Sequence, residues 1–410
     1  MTQPPGTSTI DALVQTVQRF WPEAAEVRLV GAGEPDAPAG TEVLELAAVP
    51  SAASARLLVP VGRRITAAAL ARYSAALTPR DVAQRLAVGA ISSIAGPVLL
   101  RDRVRVTSPG HDHLAAVVGE VVGQPVQLSL GIGTARANRK PVLGAFDIAG
   151  RPVAFVKVGD TAVSTVHVAA EAASLDELGR QRFSVIVPPA LLGRREWRGM
   201  EVVVMSPLHA RPWQGRDGSW PIPDAAMDEL ADVFDGGVLP LTATPWWHRT
   251  GLAAGRLQDP VRRERLADSM ARIADAVGGV EVRVGAWHGD FTPWNMSRDG
   301  ERLLLWDWER FETGVPHGMD RLHYAVNTVA RERGFGVSSV LEGLRRGASG
   351  GGGVDLTVAA AYLVALATRY LAGAQEDGGE VIAERADLVL SILSELSRHL
   401  VPTEPEQSSP

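Results

Sequence analysis

The sequence predicts an α+β fold in which a β-rich segment precedes a helical segment, with a further α+β region in front of both. Residues 124–208 hold short β-branched runs separated by glycine turns, which is typical of antiparallel strands. Residues 209–400 instead carry long stretches of helical periodicity with start signals such as Asp259-Pro260. We therefore divide the 410 residues into segments 1–123, 124–208 and 209–400, followed by a disordered tail at 401–410.

The N-terminal region combines helical and extended patterns, and its sequence carries no group of residues that indicates catalysis. A loop rich in glycine and proline at residues 31–40 separates its first two strands. The region is either an appended cap or a domain that gates access to a substrate. The predicted elements are a helix at Ile10–Phe20, strands at Val27–Val30, Val43–Ala48 and Arg56–Val61, and helices at Ala67–Ala76 and Asp81–Ala95.

The next segment begins with three strands at residues 125–133, 140–147 and 151–159, which predict an antiparallel meander. Gly131 and Gly133 lie where the first strand turns, and the backbone amides of a glycine-rich turn are able to bind phosphate oxygens. The basic run Thr134–Lys140 extends this turn. It either contacts an anionic ligand or is a solvated charged turn.

Lys157 stands in an otherwise apolar strand, so its ammonium group needs a partner if the strand is buried. The helix predicted at Val163–Leu178 offers Glu171, which helical spacing turns toward the sheet. Glu177 lies on the same helix and is the alternative partner.

Two further strands, residues 184–192 and 199–208, complete the β-rich segment. The helical segment that follows contains the aromatic pair Trp246 and Trp247. Indoles are able to stack on a bound sugar or amine, but they more often fill a core. The predicted helices are Ala225–Phe234, Pro260–Val277, a helix from Gly318 to Arg333, Leu356–Ala372 and Val381–His399.

The residues with the clearest chemical meaning lie in one short stretch of this segment. His288, Asp290 and Asn295 follow a predicted strand, and Asp307 follows an apolar run that begins after an Asp-Gly turn at 299–300. Asp-Gly between two extended runs is a strong hairpin signal. Such a hairpin brings three oxygen-bearing side chains together, and converging carboxylates need a cation or a proton between them.

This arrangement resembles the aminoglycoside phosphotransferase and choline kinase family, whose loop reads His-Gly-Asp, with an Asn five residues later and then an Asp-x-Glu. The matching residues are His288-Gly289-Asp290, Asn295 and Asp307-Trp308-Glu309, and the resemblance covers roughly Gln124 to His399. It implies a protein-kinase-like two-lobe fold, with a small antiparallel β-sheet lobe and a helical lobe. It also implies ATP and Mg²⁺ as cofactors.

The resemblance further implies a role for each matching residue. Asp290 is the expected catalytic base, which accepts the proton of a hydroxyl, and Asn295 and Asp307 are the expected ligands of Mg²⁺. Lys157 is expected to contact the phosphates of ATP while it pairs with Glu171. Further nucleotide contacts are expected at Gly131, Gly133, Ser206 and Leu208, and structural support of the loop is expected from His288, Glu309 and Asp320.

Composition narrows the partners and the compartment. The net charge is −6 and neither sign gathers in a long block, so charge gives no indication of a nucleic-acid or an anionic-membrane partner. The chain has no cysteine, which excludes disulfides and thiol catalysis and fits a reducing cytoplasm. The N-terminus lacks a basic stretch followed by an apolar core, so we expect no secretory signal.

The expected function is transfer of the γ-phosphate of ATP to a hydroxyl of a small molecule such as an aminoglycoside, an amino alcohol or a sugar. A kinase that acts on a peptide Ser or Thr in a biosynthetic pathway is an alternative. Against it, Asp307 and Asp320 are only 13 positions apart, and Gly289 stands where protein kinases carry an arginine. A third alternative is a catalytically silent nucleotide-binding scaffold. The acceptor, the choice between ATP and GTP, and the oligomeric state stay open.

Overall fold

The computed structural model describes residues 9–400, except for 32–33, 35–36, 72–78, 133–140, 209–220, 349–354 and 377. The described residues form two compact units. Unit 1 is drawn from Met1–Gly179 and Pro189–Ala210, and unit 2 from Arg180–Pro188 and Arg211–Pro410. The predicted domain boundaries at 123 and 208 stay predictions. The basic run Thr134–Lys140, Gly133 and the predicted tail lie outside the described residues.

The first half of the chain alternates short strands with helices. In chain order these elements are α1 (Thr9–Phe20), β1 (Glu26–Val30), β2 (Val43–Val49), β3 (Leu57–Pro60), α2 (Arg63–Ala71), α3 (Pro79–Ala95), β4 (Arg103–Thr107), α4 (Leu114–Val122), β5 (Gln127–Gly131), β6 (Val142–Phe146), β7 (Pro152–Gly159), α5 (Ala162–Gly179), β8 (Ile186–Val187), β9 (Leu191–Trp197) and β10 (Met200–Met205).

Unit 1 is organised around one antiparallel sheet of nine strands in the order β1-β4-β2-β3-β5-β6-β7-β10-β9. The predicted meander is confirmed, because β5 pairs with β6 and β6 with β7. The strands predicted near the N-terminus belong to the same sheet, since Leu57 and Leu58 of β3 pair with Gly131 and Leu130 of β5. The sheet therefore continues across residue 123.

The two faces of this sheet are covered by different helices, and this arrangement determines which helix the Lys157 side chain faces. On β7, Ala154, Val156 and Val158 alternate with it and belong to the core beneath α1 and α4. The opposite face of β7 packs on α5. Because strand side chains alternate between faces, Lys157 points toward α5.

The second half of the chain is mostly helical. In chain order its elements are α6 (Asp224–Val233), β11 (Val238–Pro240), α7 (Pro245–Gly255), α8 (Pro260–Val277), β12 (Glu281–Trp287), β13 (Met296–Asp299), β14 (Arg302–Leu305), β15 (Glu312–Pro316), α9 (Met319–Arg333), α10 (Val337–Ala348), α11 (Leu356–Ala374) and α12 (Glu380–Leu400).

Unit 2 packs its helices around two small sheets, β11-β12-β15 and β13-β14-β8. The predicted hairpin is confirmed, because β13 and β14 pair in antiparallel register across a turn with Gly300 at φ 62°. α11 lies in the centre of the helical core. Among the helices that the structure describes, it alone is long and apolar enough to cross a membrane, and 72% of its apolar stretch is buried inside the structure.

The mixed α+β prediction is confirmed, with two corrections to its elements, and the core position favoured for Trp246 is observed. The strand predicted at 184–192 is two strands, β8 and β9, because Pro188 and Pro189 lack the N–H groups that a continuous ladder needs. The helix predicted at Ala67–Ala76 begins earlier, as α2, and its last residues lie outside the described part. Trp246 is only 1% exposed inside α7, so it fills the core and is not available to stack on an acceptor.

Candidate active site

The candidate site in unit 2 is built on the loop that follows β12. Gly289 in this loop has φ 75°, a conformation that glycine adopts without steric cost. A Cβ atom at this position would lie 2.4 Å from the backbone oxygen of Arg310. The loop therefore turns sharply against the residues after β14, and glycine is required there for two separate reasons.

His288 fixes the loop from inside the core. The side chain is fully buried, its Nδ1 accepts the backbone N–H of Asp290, and its Nε2 lies 3.1 Å from the backbone oxygen of Trp306. These partners require a neutral ring whose Nε2–H donates to that carbonyl. Burial lowers the pKa of His288 to about 4, which keeps the ring neutral.

Asp320 holds the same loop from the first turn of α9. Its Oδ2 accepts the backbone N–H of His288 at 2.6 Å, and its Oδ1 accepts that of Gly289 at 3.1 Å. Burial raises the pKa of Asp320 to about 7, while the two N–H donors act in the opposite direction. One carboxylate thus satisfies two adjacent backbone donors of the loop.

Asp290 projects from this braced loop. Its Oδ2 accepts a hydrogen bond of 2.9 Å from the Asn295 amide nitrogen, which also donates to the backbone oxygen of Asp290 at 3.0 Å. Burial by itself raises the pKa of Asp290, but the hydrogen bond from the His323 imidazole lowers it, and the net direction is downward. The Asp290 side chain keeps 30% of its surface exposed. It is therefore an ionised carboxylate that a ligand is able to reach.

Asp307 follows β14 in a conformation that is uncommon for a residue with a side chain, at φ 75° and ψ 54°. Such backbone conformations cluster at functional sites. The neighbouring backbone is tied to the loop, because the Trp306 N–H donates to the Asn295 oxygen at 3.0 Å. Glu309 lies in a 3-10 turn, Trp308–Arg310, with an oxygen 3.8 Å from Arg310 Nε.

Two groups of this site were not predicted from the sequence. His323 on α9 is 3% exposed, and its Nε2 lies 3.2 Å from Asp290 Oδ1. Arg369 on α11 donates from Nη1 to the Gly289 backbone oxygen at 2.6 Å and lies over the Trp287 ring at 5.2 Å. Burial, followed by the nearby charge of Arg310, lowers the pKa of Arg369 to about 10, so it stays a cation at neutral pH.

The oxygen donors of this unit fit Mg²⁺. The Asn295 amide turns its nitrogen toward Asp290, which leaves Oδ1 as the acceptor atom of that amide. The charge of Asp307 opposes the net lowering of the Asp290 pKa, which is the direction expected of a second carboxylate in the same site. One amide oxygen and one carboxylate are typical partial ligands of Mg²⁺, which keeps several waters.

The predicted Lys157–Glu171 pair is present in unit 1. Lys157 Nζ lies 2.7 Å from Glu171 Oε1 and 2.5 Å from Oε2, and Glu171 is fully buried on α5. The ammonium group of Lys157 is therefore compensated by the buried carboxylate of Glu171. The structure selects Glu171 over Glu177 as the partner of the lysine.

The remaining predicted nucleotide contacts also belong to unit 1. Gly131 is the last residue of β5 and pairs with both Leu57 and Val142, so it lies within the sheet. Ser206 is tied to Ala190 by two hydrogen bonds of 2.8 Å, since its N–H donates to the Ala190 oxygen and its Oγ accepts the Ala190 N–H. Leu208 is the last described residue before the gap at 209–220.

No protein-family model and no curated protein matches the sequence. Solved structures with a similar fold include a thermostable mutant of aminoglycoside phosphotransferase APH(4)-Ia in its apo form. It is 15% identical, has a TM-score of 0.47, and the match covers 71% of this chain and 100% of that one. For a protein assigned as a fructosamine-3-kinase from Haemophilus somnus 129PT, the identity is 12%, the TM-score 0.45, and the coverage 70% and 97%.

A third similar structure is that of a choline/ethanolamine kinase family protein from Mesorhizobium loti, at 16% identity and a TM-score of 0.41, with coverage of 67% and 91%. Two of the three structures are from the aminoglycoside phosphotransferase and choline kinase groups, whose loop the sequence His288-Gly289-Asp290 resembles. Because the three TM-scores are below 0.5, the function of this chain is inferred below from its own contacts.

Proposed function

We propose that the protein is a phosphotransferase that moves the γ-phosphoryl group of ATP to a hydroxyl of a small molecule. The observation that carries the proposal is the state of Asp290. Its carboxylate accepts hydrogen bonds on both oxygens, from Asn295 and His323, and 30% of its side chain is exposed. A fixed, ionised and accessible carboxylate is suited to accept a proton from a bound hydroxyl.

In the proposed reaction, the acceptor hydroxyl gives its proton to Asp290 as its oxygen forms a bond to the γ-phosphorus. The bond between that phosphorus and the β,γ-bridging oxygen breaks, and ADP leaves with the bonding electrons. Asp290 then returns the proton to solvent. General base catalysis of this kind contributes roughly 10²–10⁴-fold to the rate, and positioning of the reactants supplies much of the rest.

The other groups are proposed to bind the nucleotide. Lys157, held by Glu171, would neutralise phosphate oxygens. Asn295 and Asp307 would hold Mg²⁺, which supplies charge neutralisation at the phosphates when it is bound. For the adenine, Ser206 has no free N–H because that group donates to Ala190, so a backbone donor from this segment would come from Leu208.

The direct test is transfer of label from γ-labelled ATP with Mg²⁺ into a panel of aminoglycosides, amino alcohols, sugars and a metabolite extract. Asp290→Asn is compared with wild type, and Asp299→Asn is the matched control because Asp299 is an exposed carboxylate of the β13–β14 turn. We expect label in one class of acceptor with wild type and Asp299→Asn. Asp290→Asn should lose roughly 10²–10⁴-fold in turnover.

Nucleotide binding without transfer would contradict the proposal. If ATP raises the melting temperature, yet no acceptor is labelled and Asp290→Asn behaves like wild type, the protein is a nucleotide-binding scaffold. Label in a peptide from the extract, with none in the small molecules, would instead favour a peptide kinase.

A further inference from the structure

A chain of hydrogen-bonding groups runs from the helical core of unit 2 to Asp290. The Tyr362 hydroxyl on α11 lies 3.4 Å from His323 Nδ1, and His323 Nε2 lies 3.2 Å from Asp290 Oδ1. Both Tyr362 and His323 are buried. The chain therefore links two packed helices to the exposed carboxylate.

The charges along this chain select one tautomer of His323. The ionised Asp290 carboxylate has only acceptors, so the imidazole nitrogen that faces it must carry the proton. Nδ1 is then an acceptor for the Tyr362 hydroxyl, whose proton is retained because burial raises the pKa of Tyr362 well above its ordinary value. Burial also lowers the pKa of His323, which favours the neutral ring.

Asn327 places a second donor nitrogen beside His323 Nε2, so the Asp290 carboxylate decides which atom that amide nitrogen bonds. Its Nδ2 lies 3.1 Å from His323 Nε2 and 2.9 Å from the His323 backbone oxygen. Since Nε2 already carries a proton, the Asn327 amide donates to the backbone oxygen one turn earlier in α9. His323 Nε2–H is thereby left to Asp290.

The second donor matters because the carboxylate torsion of an aspartate is broad and is not fixed by rotamer preference. Asn295 holds Oδ2 of Asp290, and His323 holds Oδ1. With one donor the carboxylate would still be able to rotate about χ2. Two donors on different oxygens fix its plane relative to the loop.

We propose that His323 is a positioning residue for phosphoryl transfer, which acts by fixing the Asp290 carboxylate, and that the Tyr362 hydroxyl orients the imidazole ring by donating to its Nδ1. This inference rests on the proposed function, because it assigns His323 a role only if Asp290 is the base. If His323 only filled the core, its replacement would not be expected to change turnover, and an N–H donor at this position would not be needed.

The tautomer is tested first, on the full chain and without any ligand. Two-dimensional ¹H–¹⁵N correlation of the imidazole nitrogens, with the His323 signals identified by their loss in His323→Gln, should show a neutral ring protonated on Nε2 at pH 7. In Tyr362→Phe the ring should stay protonated on Nε2, while the Nδ1 signal shifts because that nitrogen loses its hydrogen-bond donor. A ring protonated on Nδ1 in the wild type would overturn the inference.

Turnover is tested with MgATP hydrolysis, in which water is the acceptor, so that no acceptor needs to be known. His323→Leu should lose about 10²-fold in kcat, the size of effect that misplacement of a reacting group produces, while KM for MgATP stays unchanged. His323→Gln keeps an N–H donor and should recover most of the loss. His317→Leu is the matched control, because His317 also lies 3.2 Å from an aspartate oxygen, that of Asp228.

A double-mutant cycle tests whether Tyr362 acts on Asp290 through His323 or only packs in the core. Tyr362→Phe should lower kcat in the wild type but have no further effect in His323→Leu, because its hydroxyl acts only through the imidazole. Additive losses, or a kcat of His323→Leu equal to that of wild type, would overturn the inference. Equal losses in His323→Gln and His323→Leu would do the same, since they would show that the donor is irrelevant.

The two proposals fail in different ways. If Asp290→Asn hydrolyses MgATP and transfers label as fast as wild type, the proposed function falls and the role of His323 falls with it. If wild type transfers label to an acceptor but does not hydrolyse MgATP, the same kcat comparisons are made in that transfer. If Asp290→Asn is inactive while His323→Leu keeps full kcat, Asp290 stands as the base and only the positioning role of His323 is refuted.

Discussion

Gly289→Ala is the substitution for which the structure makes the sharpest prediction. The residue has φ 75°, its N–H donates to Asp320, and its oxygen accepts from Arg369. An added Cβ would lie 2.4 Å from the backbone oxygen of Arg310, a distance that real Cβ atoms essentially never show. Backbone on one side or the other must therefore move, and both hydrogen bonds of the loop must move with it.

Gly300→Ala provides a matched control for the magnitude. Gly300 also has positive φ, 62°, but a Cβ there would have nothing within 4 Å. Left-handed backbone costs an alanine about 1–2 kcal/mol, and this applies to both sites. Forcing an atom into a packed site adds about 1–3 kcal/mol, so Gly289→Ala should lose roughly 2–5 kcal/mol of unfolding free energy, and Gly300→Ala about 1–2 kcal/mol.

The assay is urea unfolding followed by tryptophan fluorescence, with ATP-dependent transfer or hydrolysis measured on the same samples below the transition. The effect of glycine replacement on the unfolded chain is common to both variants and cancels in the comparison. We also expect Gly289→Ala to lose turnover while Gly300→Ala keeps it. Equal destabilisation of the two variants would refute the reasoning, because only the close approach to Arg310 distinguishes them.

Three further predictions concern charged groups that stabilise the interior of one unit or the other. Glu171→Leu should destabilise unit 1 by about 3–5 kcal/mol, because it removes the buried carboxylate that pairs with Lys157, and adding Lys157→Met should recover most of the melting temperature but no transfer activity. Arg369→Leu should cost about 1.5–3 kcal/mol in urea unfolding, since a charged donor to the Gly289 oxygen is lost, whereas a loss within error would show that water replaces it. Burial raises the pKa of Glu229, but the Ser184 hydroxyl and three backbone N–H groups lower it more, so its pKa in the folded protein lies below the ordinary value of 4.5. The ionised carboxylate therefore stabilises the fold above pH 4.5, and this stabilisation is lost as the pH falls through the folded pKa. The corresponding step should be missing from the pH profile of unfolding free energy of Glu229→Gln.

The local parts of the candidate site were open to prediction because short-range signals encode them. A strand, a His-Gly-Asp loop and an Asp-Gly turn fix the order and direction of the chain from β12 to β14, and Asp290, Asn295 and Asp307 follow from that order. Lys157 was found in the same way, since an isolated cation within an apolar strand requires a partner.

The residues that position the catalytic loop are distant from it in sequence, so sequence spacing does not predict their contacts. Arg369 contacts Gly289 across 80 positions, and Tyr362 meets His323 across 39. Each lies in a helix whose sequence is typical of a core, where a polar group is not distinguished by periodicity. Apart from the β5-β6-β7 meander, the strand order of unit 1 was beyond prediction for a related reason, because period-two alternation shows that a strand is half-buried but not which strand it pairs with.

One signal for His323 was nevertheless present in the sequence. Asp320 and His323 are three positions apart in a predicted helix, so they lie on the same face of α9. Once Asp320 is assigned to brace the loop, that face must look toward the loop, and the next polar residue on it must also approach Asp290. α9 therefore supports the site twice within one turn: Asp320 fixes the backbone that carries Asp290, and His323 fixes the plane of its carboxylate.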